Sequence, residues 1–317
     1  MTTNNVQSAT PARATPRLRH PFEIPIYVFM VVLNVLIALL LLGGAIIELA
    51  EPTAFQALVI ASTPLRLAVA ALLLAAFLLA PLFIFVRQLT RASTRGGSVL
   101  AGARQFPEVE AIKREAANRL GFRRHREPEI YVTAGNGVLN AFAASAFGHD
   151  FVVVHSDLFA NTLEQNQRAL RFIVGHELGH IRLGHTRLWY QLSTAFSGLI
   201  PLLGPYLSRL RELSCDRHGA WFEPDGGDGL VLLTAGRYIY RQVRLPDLVQ
   251  QARRNAGFWD TVAQLPLSHP FTVRRVAELS RLGLIHDGQP AATGAGARDR
   301  GAPAGSGGVA TPGQTPR

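Results

Sequence analysis

Two histidines and a glutamate in His176-Glu177-Leu178-Gly179-His180 are the residues of this chain best placed to do chemistry. They lie in RALRFIVGHELGHIRLGHTR, Arg168 to Arg187, which reads as a helix. A four-residue spacing puts His176 and His180 one turn apart on one face, where two imidazoles can share one Zn²⁺. Glu177 stands about 100° further round the helix, so it flanks the metal without ligating it. There it can act as general base on water attacking a peptide carbonyl. Apolar Phe172, Ile173, Val174, Leu178 and Ile181 surround the motif and predict a buried helix.

A hydrolytic zinc needs three protein ligands and one open position. His185 follows at a distance one residue short of the elongated metzincin motif, whose third histidine would fall on Thr186. Glu212 is the better candidate. It lies in Ser208-Arg209-Leu210-Arg211-Glu212-Leu213-Ser214-Cys215-Asp216, where a helix sets Asp216 one turn beyond Glu212. From there Asp216 can accept the free ring N–H of a ligand histidine.

The chain that must position these residues has 317 residues and a formal net charge of +10, carried almost wholly by arginine. The basic residues are spread or sit beside apolar runs, without aromatic interleaving, which argues against a nucleic-acid partner. The single Cys215 excludes an intramolecular disulfide framework. Residues 1–24 read as a flexible basic arm. Ile26 to Ile47, with Asn34 its one strongly polar side chain, and Leu67 to Val86 each have the length and composition of a membrane span. Arginine crowds the arm and residues 87–126, whereas the 51–64 connection has none. The positive-inside rule then places the amino terminus and the catalytic domain in the cytoplasm, in a multi-pass inner-membrane layout.

From residue 96 to 287 the composition is that of a globular domain. Short strands are expected at Glu129–Thr133, Val138–Phe147 and Phe151–His155, with Ser156 and Asp157 as helix caps. Helices are expected at about 111–120, 163–186, 208–222, 229–244, 246–255 and 271–283. The Gly- and Pro-rich tail at 288–317 reads as disordered. The fold class expected is α+β, mostly helical: two transmembrane helices, then a zincin-like domain with a small β-sheet and a buried metal-binding helix. The apolar stretch Leu188–Leu207 is too short to cross the bilayer twice, and one crossing would part His180 from Glu212. It is expected to pack on the domain or lie against the membrane surface beside the cleft.

Taken together, the chain resembles the membrane-anchored zinc endopeptidases of the HtpX and CAAX prenyl protease type. Besides the zinc motif, Asn140-Ala141-Phe142-Ala143 is similar to that family's N-A-F-A strand, Ser208 to Asp216 to its S-R-x-x-E-x-x-x-D helix, and Ser268-His269-Pro270 with Arg275 to its H-P segment. The resemblance implies one Zn²⁺ per chain on His176, His180 and Glu212, with Glu177 as base and Asp216 behind the ligands. It implies that Asn140, Ala141 and Phe142 line the substrate cleft, that His269 assists at the substrate backbone or oxyanion, and that Arg275 belongs to the substrate-binding set. Cys215 departs from the family's usual small residue and is expected to pack there. The expected partners are the bilayer and protein substrates, membrane or misfolded. A processing protease for one peptide and a catalytically silent scaffold are the alternatives.

Overall fold

Helix α5 (Gln167–Leu183), which carries the histidine pair, and helix α7 (Leu203–Phe222), which carries Glu212, form the most extensive helix contact in the protein. The computed structural model describes residues 17–50, 63–146 and 149–286; of these, the side chains of 45, 47–49, 63–70 and 72–80 are left aside. The tail at 288–317 and the first sixteen residues of the arm therefore lie outside the described residues, as does most of the 51–64 connection.

Each end of α5 is set by one residue. Asn166 accepts the Ala169 N–H at 3.1 Å as N-cap. Gly184 closes the other end in the left-handed region at φ +83, which glycine adopts without a Cβ penalty. The cap corrects the expectation of one helix from 163 to 186. A separate helix α4 (Ser156–Gln165) precedes it, because Asn166 leaves helical geometry to serve as the cap. Likewise, the helix expected over 229–244 stops after Ala235 as α8 (Asp228–Ala235), where Gly236 takes φ +77.

Glycines allow α5 and α7 to meet closely. A Cβ at Gly175 would sit 3.1 Å from Phe222, and one at Gly179 the same distance from His218. At Gly219 on α7, a Cβ would stand 2.8 Å from the Phe172 carbonyl oxygen. The histidine motif thus includes, in Gly179, one of the small residues that bring the second helix within reach.

Four strands back this helix pair. They are β1 (Val99–Ala101), β2 (Glu129–Thr133), β3 (Ala141–Ala146) and β4 (His149–His155), in the order β1-β2-β4-β3. β2 and β4 run parallel in register from Glu129 opposite Phe151 to Thr133 opposite His155, while β3 is antiparallel to β4 and forms an edge. Ile130, Val152 and Val154 of the central strands join Leu170, Val174 and Leu178 of α5 and Ala116 of α3 (Pro107–Arg119) in one core. Ser156 and Asp157, expected as caps, instead accept the Gly135 and Gly137 N–H groups, fastening the turn before β3. β1 and the short helix α10 (Phe258–Gln264) have no counterpart among the elements expected; each is too short to show a period. α9 (Leu245–Arg254) and α11 (Thr272–Arg281) fall where helices are expected.

Among the described residues one helix, α1 (Glu23–Ala50), contains a stretch long and apolar enough to cross a membrane, Glu23–Gly44. Its outward side chains, such as Val28, Val32, Leu36 and Leu40, are exposed. Glu23, Met30 and Asn34 form a buried stripe on the opposite side. The second stretch expected to span runs within α2 (Thr63–Gly96), and most of its side chains are outside the described set.

The segment 188–202 is broken into α6 (Leu188–Leu192), a 3₁₀ turn and a bend, so none of it forms a spanning helix. It packs along the start of α1. Tyr27 stacks on Tyr190 with ring centroids 4.3 Å apart, and Asn34 Oδ1 accepts the Phe196 N–H at 2.7 Å. Asn34, the polar residue of the apolar stretch, is therefore used to cap this turn.

The glycine contacts yield an expected outcome. Gly219→Val should destabilise the protein by about 1–3 kcal/mol through overpacking and weaken metal binding by parting α5 from α7. Gly43→Val, where a Cβ meets nothing within 4 Å, should change neither. Thermal unfolding and metal titration of both variants check this.

Candidate active site

On α5, His176 and His180 project to the same side, and their Nε2 atoms lie 3.3 Å apart. Glu212 reaches across from α7, with Oε2 3.5 Å from His176 Nε2 and Oε1 3.4 Å from His180 Nε2. Three donor groups are thus nearly equidistant, the carboxylate turning a different oxygen to each imidazole. Ligands about 2.0–2.1 Å from zinc at tetrahedral corners stand about 3.3–3.4 Å apart, so this donor set fits a zinc ion with little rearrangement. Glutamate and imidazole also match the borderline hardness of zinc.

The charges point the same way. Burial alone would push the Glu212 carboxyl up, but the His176 and His180 imidazoles hold it well below the usual carboxylate range. Burial would depress His176, yet Asp216 and Glu212 together lift it to about 10. A site that holds an imidazole proton this strongly is a site for a cation, and proton and metal compete for the same nitrogen. Since zinc must displace that proton, its apparent affinity should rise as pH rises from 6 to 8, with proton release on binding. Calorimetry in buffers of different ionisation enthalpy reads this directly.

Behind His176, Asp216 Oδ1 lies 2.9 Å from Nδ1, although the angle leaves that nitrogen without a well-aligned hydrogen bond. Asp216 is fully buried and takes a two-pronged contact from Arg275, Nε to Oδ2 at 2.8 Å and Nη2 to Oδ1 at 2.6 Å. Arg275 Nη2 also lies 3.7 Å from Glu212. This corrects the expectation for Arg275. It is not in a substrate-binding position, because it is buried and spent on Asp216. Arg275→Leu should therefore act as a stability mutation, costing about 3–5 kcal/mol because the Asp216 charge stays buried with its counter-ion gone. A fall in melting temperature, with KM of the folded fraction unchanged, is the expected result.

Glu177 faces a cleft of about 220 Å³ together with His176, His180 and Glu212. Its carboxylate makes no hydrogen bond or ion pair among the described residues. One wall is the start of the edge strand β3, Ala141 to Ala143, and the rim carries His269, whose Nε2 lies 3.7 Å from Glu212 Oε1. Ser268 Oγ pairs with His269 Nδ1 at 3.0 Å. Asn140 does not line this cleft: its side chain is exposed, and its carbonyl accepts the His155 N–H at 2.9 Å, one step before β3 begins. Ala141 and Phe142 do line it.

His185 cannot join the three donors, because it lies behind His180. Its Nδ1 is 3.2 Å from His180 Nδ1, on the far side of that ring from Nε2. Cys215 is buried with Sγ 3.7 Å from the same His185 atom, and burial pushes its thiol up, so it stays neutral.

Sequence reasoning missed several groups here. Arg211 and Gln191 line the cleft. Arg209 donates through Nη1 to the carbonyls of Gln264, Leu265 and Leu267 at 3.0, 2.6 and 2.8 Å, tying the loop before His269 to α7. Glu23 at the start of α1 is buried against His185. Arg209 and Arg211 stand inside the Ser208–Asp216 string and were legible as residues, though not as contacts.

With this geometry in place, comparison with known proteins is informative. The model of Peptidase family M48 matches residues 103–193, a region holding strands β2 to β4 and the whole of α5. That match supports an M48 metallopeptidase; it stops before Glu212, so the third donor rests on the geometry above. No curated protein matches the chain.

Proposed function

We propose that this protein is a membrane-anchored zinc endopeptidase of the HtpX-like type, with its cleft at the membrane surface. The observation that carries the reading is the near-equilateral set of His176, His180 and Glu212 donors, 3.3–3.5 Å apart, beside an uncommitted Glu177. A bound Zn²⁺ would supply Lewis acidity to polarise a peptide carbonyl and lower the pKa of water.

The chain's own groups would do the rest. A peptide would lie along the exposed edge of β3 at Ala141 to Ala143 through main-chain hydrogen bonds. Glu177 would take a proton from the attacking water and pass it to the leaving amine. His269 at the rim could donate to the developing oxyanion, aimed by Ser268 and the loop that Arg209 holds. Asp216, itself fastened by Arg275, would keep the His176 ring oriented.

Support for membrane attachment comes from α1, whose exposed apolar side suits a non-aqueous environment. Because Glu23 opens that helix and touches the site, the cleft would lie close to the bilayer. Trp189, Leu199 and Leu202 on the broken 188–202 segment are exposed beside α1 and would sit in the interface. This favours membrane-associated or misfolded membrane proteins as substrates, cut on the cytoplasmic side where the arginine-rich flanks belong.

Casein cleavage and zinc content of the detergent-solubilised chain test the reading. Glu177→Gln should keep about one zinc per chain and lose activity by about 10²–10⁴-fold. Glu212→Ala should lose more zinc affinity than Asp216→Ala, and His185→Ala should retain one site. Cleavage by Glu177→Gln at more than about a tenth of the wild-type rate would refute the mechanism.

A further inference from the structure

The apolar helix α1 does more than lie against the catalytic domain. At its first residue, Glu23 is fully buried, an unusual place for a carboxylate without a function. Its Oε1 meets His185 Nε2 at 3.1 Å, and Oε2 accepts from Ser214 Oγ. Arg19 Nε lies 3.5 Å away on the preceding turn, and the His20 N–H donates to Ser214 Oγ at 2.9 Å, so the carboxylate is held from three sides. His185 in turn meets His180, Nδ1 to Nδ1, at 3.2 Å.

The carboxylate and the two ring contacts assign the donor and acceptor roles in this chain. An ionised carboxylate can only accept, so the hydrogen of neutral His185 must sit on Nε2. Its Nδ1 then carries a lone pair that accepts from His180 Nδ1 at 3.2 Å, with the Cys215 thiol at 3.7 Å the more distant and weaker donor. The hydrogen of His180 is thereby held on Nδ1, and its Nε2 lone pair is free to face Glu212 and His176 Nε2. One carboxylate thus sets two tautomers in succession, and the last is the one that a metal-binding imidazole requires.

We propose that Glu23, on the apolar amino-terminal helix, is a positioning residue for the metal-binding face of His180, acting through His185. The inference rests on the zinc reading above and deepens it: the anchor helix completes the site rather than merely tethering it. Where Asp216 steadies His176 from within the domain, Glu23 steadies His180 from the anchor.

The full chain in detergent micelles allows a test, with zinc affinity read by competition against a chromophoric chelator and ligand geometry read from the absorption spectrum of the Co²⁺-substituted protein. Glu23→Leu and His185→Phe should each weaken zinc about 10–100-fold and alter the Co²⁺ bands. The double variant should be no worse than the poorer single one, within about threefold, as expected of links in one chain. Glu23→Gln, whose amide oxygen still accepts from Nε2–H, should stay within about threefold of wild type and keep its spectrum. Asn34→Ala, which loosens α1 from the 192–197 turn without touching the chain, should leave both readouts unchanged.

Wild-type affinity in a folded Glu23→Leu variant would overturn the proposal, as would multiplicative losses in the double variant. Equal losses in Glu23→Gln and Asn34→Ala would reduce Glu23 to a docking contact and overturn it too. Two zinc ions per chain, with one lost in Cys215→Ala, would place a second ion among His180, His185 and Cys215 and defeat it. Failure of the wild-type chain to bind zinc at all would instead refute the reading of the site itself.

Discussion

The close crossing of α5 and α7 is the constraint on which the site depends. One carboxylate has to meet two imidazoles projecting from another helix, and the three donors tolerate little error before they stop sharing one ion. Gly175 and Gly179 on one helix and Gly219 on the other remove the side chains that would hold the backbones apart. Packing of Phe172 and Phe222 around these glycines fixes the distance, and the core beneath, from Val174 and Leu178 to the central strands, fixes the rotation. Stability and metal geometry therefore draw on the same contacts. A small change of helix spacing would spoil the site before it unfolded the domain.

Around that crossing, charge is arranged in layers. Glu177, Glu212 and Asp216 are all buried acids, and Arg275 is the guanidinium that reaches Asp216 and Glu212 together. Of these, Asp216 and Glu212 face the His176 ring and together lift it. Arg275 counters their charge, which explains why it is buried at the base of the site instead of reaching for substrate. The arginine-rich composition serves the fold similarly elsewhere: Arg209 ties down the His269 loop, and Arg119 donates to the Phe222 and Trp221 carbonyls at the end of α7.

Much of this was legible in the sequence, for physical reasons that can be named. The spacing of His176 and His180 is a local consequence of helical geometry, and the Glu212 and Asp216 pair likewise, so both could be read without knowing how the helices meet. β2 and β4 were visible because their apolar runs are uninterrupted, as central strands require. What failed was whatever depends on one residue's choice between two partners. Asn166 looks like a polar helix residue until its side chain is seen capping Ala169. Asn140 is a cleft residue only by what the resemblance implies, and the strand starts one position later. Arg275 could be placed near the site by resemblance, but only its partner, Asp216, shows what it does.

Glu23 was the least legible of all, and its case separates two kinds of polar residue in an apolar helix. An acid at the mouth of a span is ordinarily read as a boundary marker, held in water at the end of the hydrophobic stretch. Here it is turned inward and desolvated, at a cost that only full hydrogen bonding can offset. Ser214 and His185 supply those bonds, and Arg19 in the loop ahead of α1 adds an ion pair at 3.5 Å. Further along the same face, Tyr27 and Asn34 are spent on the 188–202 segment. Among the described residues, the polar groups on that stripe find partners in the catalytic domain, while Val28, Val32, Leu36 and Leu40 on the other side are apolar and exposed. Such a division suits a helix that faces an apolar environment on one side and protein on the other, and it ties the packing of α1 to the residues behind His180.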